Sequence, residues 1–294
     1  LNGFTLGTAE AISLRGTGVS NAGALTNTGG NASYSGAITL AATTTINANT
    51  SGTLTLSGNC SGNSALTLDG SGTGIYSGIR SGTSTIVKTG TSTWTLSGDN
   101  SYSGLTTISA GTLKLGANGG AVNTPLGTTT AATTVASGAT LDLNGFTLGT
   151  AEAITSLAGT GVSGGGALTN TGTDASFSGN ITLITPGATI TATSSGTLGL
   201  SGNISGNFPL TLEGNGIGTY SGIRSGTGAL IKNGSGTWTL SGLNTYTGTS
   251  TVTGGFLRAQ NNTLVASTNG PFGNNASGLN LNGGTIQSNV TTFS

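Results

Sequence analysis

The chain has 294 residues, no net formal charge and 5% charged residues, whereas ordinary soluble domains carry roughly 25%. Its seven Lys and Arg form no cluster, which excludes a nucleic-acid-binding surface built on grouped cations. The absence of histidine excludes a Ser-His-Asp triad and a histidine-ligated metal site. No apolar run is long enough for a membrane-spanning helix. The sequence therefore predicts no metal and no cofactor.

Short segments of alternating polar and apolar residues predict β-strands throughout the chain. In chain order, the clearest are residues 53–56, 65–68, 93–96, 112–115 and 141–143. A period of two places Leu54 and Leu56 on one face and Thr53 and Thr55 on the other. Gly, Asn and Asp follow each segment and predict corners. No segment has the period of an amphipathic helix, so the chain is predicted to be all-β.

A long internal repeat decides how these strands are arranged. The segment LNGFTLGTAEAIS at residues 1–13 recurs as LNGFTLGTAEAIT at 143–155, and LNGGTIQ starts at 281. Because a solenoid extends by adding equivalent units, the sequence predicts a right-handed parallel β-helix built from tandem repeats of about 142 residues. With roughly 20 to 24 residues per circuit, each repeat holds about six or seven circuits. We expect one continuous solenoid, with repeats at 1–142 and 143–280 and the start of a third at 281–294, excerpted from a longer chain.

The lone cysteine excludes an intrachain disulfide. Cys60 lies in SGNCS, and the second copy has Ile204 in the corresponding SGNIS. An apolar counterpart predicts that Cys60 is a small buried side chain.

Residues 86–115 and 230–259 share a distinctive pattern, with TWTLSG followed by Asn, Tyr and Gly at fixed spacing. Lys88, Asn100 and Tyr102 occur in the first copy, and Lys232 and Asn244 repeat them in the second. This pattern resembles the autotransporter-associated β-strand repeat, although Trp replaces the first Leu of its TLTL segment. The resemblance implies a large bacterial surface or secreted protein with a β-helical passenger region.

Seven carboxylates are spread along the chain, about one per expected circuit of the solenoid. Glycosidases need two carboxyl groups roughly 5 to 10 Å apart, and neighbouring circuits could supply such a pair. A polysaccharide-acting β-helical enzyme, such as a lyase, hydrolase or phage tailspike, is therefore an alternative. Because most of the acids follow strands at corners, we instead predict turn-capping roles and no enzyme activity.

Four residues are weak candidates for ligand binding. Arg80 and Arg224 occupy the same place in two copies of YSGIRSGT. Their repeated position indicates either a row of residues that contact a ligand along the solenoid or charge pairs between adjacent circuits. Tyr102 and Tyr246 are candidates for stacking against sugars, although their place in the repeat pattern favours packing at a corner.

We therefore predict an extracellular structural protein: a stalk, fibre or sheath on a bacterial surface with adhesion or biofilm roles. Unpaired strand edges predict end-to-end or lateral self-association into filaments. Glycans and other cell surfaces are further expected partners, whereas nucleic acid is not. Ice binding through outward threonines is a third alternative, but the threonine positions shift too much along the sequence to favour it.

Overall fold

The computed structural model describes residues 1–6, 8–49, 52–149, 152–260, 269–274 and 278–288. These residues form β-strands, corners and two short 3-10 helices, Val19–Asn21 and Val162–Gly164. The chain divides into two compact units, Leu1–Asp142 and Leu143–Ser294. Within the described ranges, no helix has the length and apolar character needed to cross a membrane.

The first unit is built from short strands. They are β1 (Ile12–Gly16), β2 (Leu25–Asn27), β3 (Ala32–Tyr34), β4 (Ile38–Ala48), β5 (Thr53–Leu56), β6 (Cys60–Ser61), β7 (Leu66–Gly70), β8 (Thr73–Tyr76), β9 (Ile86–Lys88), β10 (Thr93–Leu96), β11 (Thr106–Ile108), β12 (Thr112–Leu115), β13 (Asn123–Thr124), β14 (Gly127–Thr128), β15 (Thr133–Val135) and β16 (Thr140–Asp142).

The second unit repeats this order. Its strands are β17 (Thr147–Leu148), β18 (Ile154–Gly159), β19 (Leu168–Asn170), β20 (Ala175–Phe177), β21 (Ile181–Ala192), β22 (Thr197–Leu200), β23 (Ile204–Ser205), β24 (Leu210–Glu213), β25 (Ile217–Tyr220), β26 (Leu230–Lys232), β27 (Thr237–Leu240), β28 (Ser250–Val252), β29 (Phe256–Ala259), β30 (Asn269–Gly270), β31 (Gly273–Asn274), β32 (Leu279–Leu281) and β33 (Thr285–Ser288).

Parallel strands from successive circuits of the chain stack on one another in both units. In the first unit, one stack runs β3, β5, β8, β10, β12, β16, and a second runs β2, β4, β7, β9, β11, β15. In the second unit, the corresponding stacks are β17, β20, β22, β25, β27, β29, β33 and β19, β21, β24, β26, β28, β32. A shorter third stack joins β1, β4 and β6, and β18, β21 and β23 match it.

One circuit of the chain, here called a rung, takes roughly 22 residues. Thr53 pairs with Thr73, and Thr73 pairs with Thr93. The all-β parallel solenoid predicted from sequence is confirmed, with a repeat of roughly 22 residues per turn and not 142. This length agrees with the roughly 20 to 24 residues predicted for one circuit. The 142-residue copy is a group of rungs, because the chain closes a hydrogen-bonded circuit after each three-strand passage.

The predicted continuity of one solenoid across 1–142, 143–280 and 281–294 stays a prediction, and residues 289–294 lie outside the described residues. The predicted strands at 53–56, 93–96 and 112–115 coincide with β5, β10 and β12. Those at 65–68 and 141–143 are shifted by a residue or two relative to β7 and β16.

Alternation along the strands builds the core. In β5, Leu54 and Leu56 are buried, whereas Thr53 and Thr55 are half-buried on the outer face. Threonine suits that face because its β-branched side chain fits a pleated, partly hydrated surface. Cys60 and Ile204 are both buried, which confirms the apolar environment predicted for the thiol.

Corner asparagines link successive rungs. The side-chain oxygen of Asn59 accepts a hydrogen bond from Ile79 N at 2.9 Å, and Asn203 does the same for Ile223. Asn180 in turn accepts from Asn203 N at 3.0 Å. Corner asparagines therefore form ladders, with the amide oxygens bonded to backbone N–H groups of the next rung.

Candidate functional site

The two segments that carry the shared pattern, 86–115 and 230–259, form equivalent parts of the two units. The first supplies β9, β10, β11 and β12, and the second supplies β26, β27, β28 and β29. Most of the pattern's large polar side chains point into the solenoid. They form three recurring interior contacts, described in turn below.

A buried lysine closes the corner after β9 and again after β26. The Lys88 ammonium donates hydrogen bonds to the carbonyl oxygens of Thr89, Gly90 and Ala110, at 2.5 to 3.1 Å. Lys232 makes the corresponding contacts in the second unit. Each ammonium therefore donates hydrogen bonds to backbone carbonyls of two rungs. Without it, these carbonyls would be buried with no hydrogen-bond donor.

The glycine two residues beyond each lysine makes this corner possible. Gly90 has φ +62° and Gly234 has φ +69°, in the left-handed region that glycine adopts without a Cβ penalty. A Cβ on either residue would also lie 2.4 Å from a backbone oxygen of the preceding rung. The Lys-x-Gly element of the pattern is thus a corner with a fixed hydrogen-bond cage.

A buried arginine and a buried asparagine form the second contact. Arg80 donates from its guanidinium to carbonyls of Gly62, Ser64 and Ser81. The Asn100 side chain accepts from Arg80 N at 2.7 Å and donates to Pro125 O at 2.7 Å. In the second unit, Arg224 and Asn244 repeat the arrangement, with Pro271 as the acceptor.

The four ligand candidates from the sequence are all buried. Arg80 and Tyr102 have no exposed surface, and Arg224 and Tyr246 have at most 1%. The Tyr102 hydroxyl lies 2.6 Å from Thr106 Oγ1, and the Tyr246 hydroxyl lies 2.6 Å from Ser250 Oγ. The Arg224 guanidinium also lies over the Tyr246 ring, 5.0 Å from its centroid. None of the four presents its side chain at the surface.

The third contact pairs tryptophan with glycine. Trp94 stands beside Gly74 in the β8–β10 pair, and Trp238 stands beside Gly218 in the β25–β27 pair. Both indoles are fully buried. A Cβ on either glycine would lie 2.2 to 2.3 Å from the ring. Each indole therefore fills the space that the neighbouring rung leaves empty.

Residues 86–115 and 230–259 match the family model of the passenger-associated-transport-repeat. Both copies of the pattern are thus similar to this repeat. This match confirms the resemblance to the autotransporter-associated β-strand repeat that the sequence suggested. Interior packing explains the pattern, because Lys, Asn, Tyr and Trp in each repeat hold neighbouring rungs together.

The chain is also similar to a curated protein over a longer stretch. The chain is 37% identical over 150 residues to "Adhesin BmaC autotransporter" of Brucella suis biovar 1 (strain 1330). The match covers 50% of this chain and 4% of that protein's length. No solved structure matches the chain significantly. The two matches confirm the predicted extracellular or cell-surface location.

Some outward side chains of the repeats differ between the two units, whereas the buried Lys, Trp, Asn and Tyr residues are the same in both. Thr112 of β12 is replaced by Phe256 of β29, which is 38% exposed. Lys114 is replaced by Arg258, which bonds to Gln287. The sequence analysis missed this surface, although one signal was available: an aromatic residue stands where the first copy has an outward threonine.

A shallow groove of about 260 Å³ lies in the second unit beside β21. Its lining includes Pro186, Pro209, Thr189 and Thr211 and contains no carboxylate. This groove therefore lacks the pair of acids that the polysaccharide-enzyme alternative requires. Within the described ranges, no group of three or more Cys, Asp or Glu side chains is placed to hold a metal ion.

The buried titratable groups predict how stability depends on pH. Burial lowers the pKa of Lys88 and of Lys232 from 10.5 to about 8, and a nearby carboxylate opposes the shift in each case. Between pH 8 and 10.5 these two lysines therefore bind more protons in the unfolded chain than in the folded chain, so their contribution to the free energy of unfolding rises with pH.

The opposite sign applies to groups whose pKa is raised. Burial raises the pKa of Cys60 from 9.0 to about 11 and that of Tyr246 from 10.0 to about 12. These groups lose their protons first in the unfolded chain, which destabilises the fold at high pH. We expect urea unfolding midpoints to rise from pH 8, pass a maximum near pH ~10 and then fall. A Lys88→Met/Lys232→Met variant should lose the rising part; a rise that persists would contradict the assignment.

Proposed function

We propose that this chain is a structural segment of a bacterial surface adhesin, in which stacked rungs act as a stalk and the outward strand faces make attachments. The observation that carries the proposal is the division of labour within the repeats. Trp94, Lys88 and Asn100 recur in the second unit as buried residues, whereas outward positions such as Thr112 and Lys114 change. A scaffold that keeps its large polar and aromatic interior residues while some outward residues change suits recognition.

The interior also supports a role outside the cell. Asparagine side chains, lysine ammonium groups and arginine guanidinium groups satisfy backbone groups between rungs, and no disulfide is needed. Because these contacts are local to neighbouring rungs, rungs can be added without changing the earlier ones. The adhesin relative in Brucella suis is consistent with an attachment role for such a scaffold.

The adhesion role can be tested with the purified chain coupled to latex beads. We expect beads carrying residues 1–294 to be retained on epithelial cell layers severalfold more than beads carrying the same protein unfolded in urea before coupling. Equal retention of the two bead populations would contradict the proposal. Bead retention under flow measures attachment directly and does not require the target to be known.

We also propose that open strand edges allow the chain to assemble into filaments, since an unpaired edge offers N–H and C=O groups to another chain. Sedimentation velocity over a wide range of protein concentrations measures this. Species that grow with concentration are expected. A single monomeric species throughout would contradict self-association and would leave the adhesion proposal standing.

A further inference from the structure

We propose that the outer face of β27, β29 and β33 binds an acidic polysaccharide, with a uronate ring against Phe256 and its carboxylate on Arg258. The inference rests on the proposed attachment function and names its ligand class. Three observations carry it: an exposed aromatic ring, a guanidinium held in place by a neutral side chain, and the charge of the surrounding sequence.

The aromatic ring stands where a sugar can reach it. Phe256 and Arg258 are alternate residues of one strand, so their side chains leave the same face about 6.7 Å apart along the strand. Phe256 is 38% exposed in the middle of a sheet. Its neighbours across the rungs are Thr237 and Thr285, whose side chains are short. The ring is therefore open to the flat apolar face of a pyranose.

The guanidinium is oriented before any ligand arrives. Nε and Nη2 of Arg258 donate to Gln287 Oε1 at 3.2 and 2.8 Å. Among the described residues, Gln287 is the acceptor of these two donors, and the guanidinium has three further N–H donors. A planar guanidinium with free paired donors fits a carboxylate in two parallel hydrogen bonds.

The equivalent position of the first unit has a different partner. There Lys114 pairs with Asp142, and Nζ lies 3.2 Å from Oδ2. The carboxylate neutralises the cation in that unit. Gln287 takes the place of Asp142 in the second unit and carries no charge, so the charge of Arg258 is not compensated by its partner.

The sequence around this face adds to the preference for anions. Residues 214–294 contain no Asp or Glu and three cations, Arg224, Lys232 and Arg258. Arg224 and Lys232 are buried and bonded to backbone carbonyls. Arg258 therefore carries the accessible positive charge of this segment. A neutral glycan would use the ring but leave this charge unmatched, so the geometry favours a carboxylated sugar.

A second apolar contact lies on the same column of outward residues. Ile217 is 55% exposed and is separated from Phe256 by one rung, that of Thr237. Two rungs span about 9.6 Å. A polysaccharide lying along the stacking direction would therefore meet Phe256 and Ile217 with successive parts of one chain.

The test titrates the whole chain 1–294 with oligogalacturonate, and separately with neutral oligogalactan of similar length, by isothermal titration calorimetry. We expect binding of oligogalacturonate and much weaker binding of oligogalactan. Arg258→Gln should weaken the affinity about tenfold, the loss expected for a charge-assisted bidentate contact. Phe256→Thr restores the residue type of Thr112 and should weaken it by a similar factor.

Gln287→Asp is the sharpest variant because it recreates the charge pair of the first unit. The new carboxylate holds Arg258 in place but neutralises its charge. The affinity for oligogalacturonate should therefore fall as far as in Arg258→Gln. Arg15→Gln removes an exposed cation of the first unit and serves as the matched control, with unchanged affinity. All four variants change surface residues, and unchanged unfolding midpoints confirm that they fold.

Three results would overturn the uronate site: no binding by the wild-type chain, equal binding of oligogalactan, or an equal loss in Arg15→Gln. Beads carrying the wild-type chain distinguish this failure from failure of the attachment function. If the beads are retained on cells but the chain does not bind oligogalacturonate, only the uronate site is contradicted. If the beads are not retained, the attachment role itself is contradicted.

Discussion

Replacing Trp238 with alanine is expected to lower the free energy of unfolding by about 4 kcal/mol. The indole is fully buried, and its ring fills the space above Gly218 of the preceding rung. On its other side it pairs with Leu257 of β29. Alanine would leave a cavity lined by two rungs that cannot collapse, because their backbones are fixed by the parallel hydrogen bonds of the stack. Urea unfolding followed by tryptophan fluorescence of Trp94 and by circular dichroism measures the loss.

The neighbouring glycine supplies the matched test. Gly218→Ala should destabilise the chain on its own, because the added Cβ would lie 2.3 Å from the indole. Combined with Trp238→Leu, the same alanine should cost much less, since leucine withdraws the ring that it meets. Thr237→Ala on the outer face is the control and should change stability little. Additive effects of Gly218→Ala and Trp238→Leu would contradict direct packing between the two positions.

Replacing Lys232 with methionine is expected to lower the free energy of unfolding by about 3 kcal/mol. Methionine has a similar length but no donors, so the carbonyls of Asn233, Gly234 and Gly254 lose the ammonium that they share. Relief of the buried charge offsets part of this loss. Chemical denaturation at pH 7 measures the difference, and Lys88→Met should show an equal loss in the first unit.

The control for this substitution is Arg15→Met, which removes an exposed cation and should leave stability nearly unchanged. A gain in stability from Lys232→Met would show that the cage does not compensate the desolvation of its ammonium. Hydrogen exchange gives a second readout. The amides of Thr253 and Phe256 bond to carbonyls of the preceding rung, and the variant should expose them to faster exchange than the control.

The strands were predictable because their signal is local. Thr93–Leu96 alternates polar and apolar residues, and a period of two assigns each side chain to a face without knowledge of any partner. The internal repeat also predicted that the strands stack in parallel, because equivalent segments must bury equivalent faces. The copy length of 142 residues is not the structural period, because sequence identity marks the copied group of rungs, whereas hydrogen bonding closes after each rung of roughly 22 residues.

The roles of the polar repeat residues were not predictable in the same way. The repeat pattern favoured corner packing for Tyr102, and its hydroxyl meets that of Thr106, four residues away. Arg80 was expected to contact a ligand or form a charge pair, because charged side chains usually remain exposed. In the structure its guanidinium instead donates to backbone carbonyls such as that of Ser64. Burial of a cation depends on those acceptors, and their positions do not follow from local sequence.

The sequence by itself thus determined that the chain is all-β, which side chains face the core, and that parallel strands stack as a solenoid. Only the tertiary structure decided which residues meet between rungs: Trp238 with Gly218, Lys232 with Gly254, and Arg258 with Gln287, 29 residues away. The physical reason is register. Alternation is a property of one strand, whereas the pairing of strands depends on the length of every corner and on hairpins such as β30–β31 that lengthen a rung.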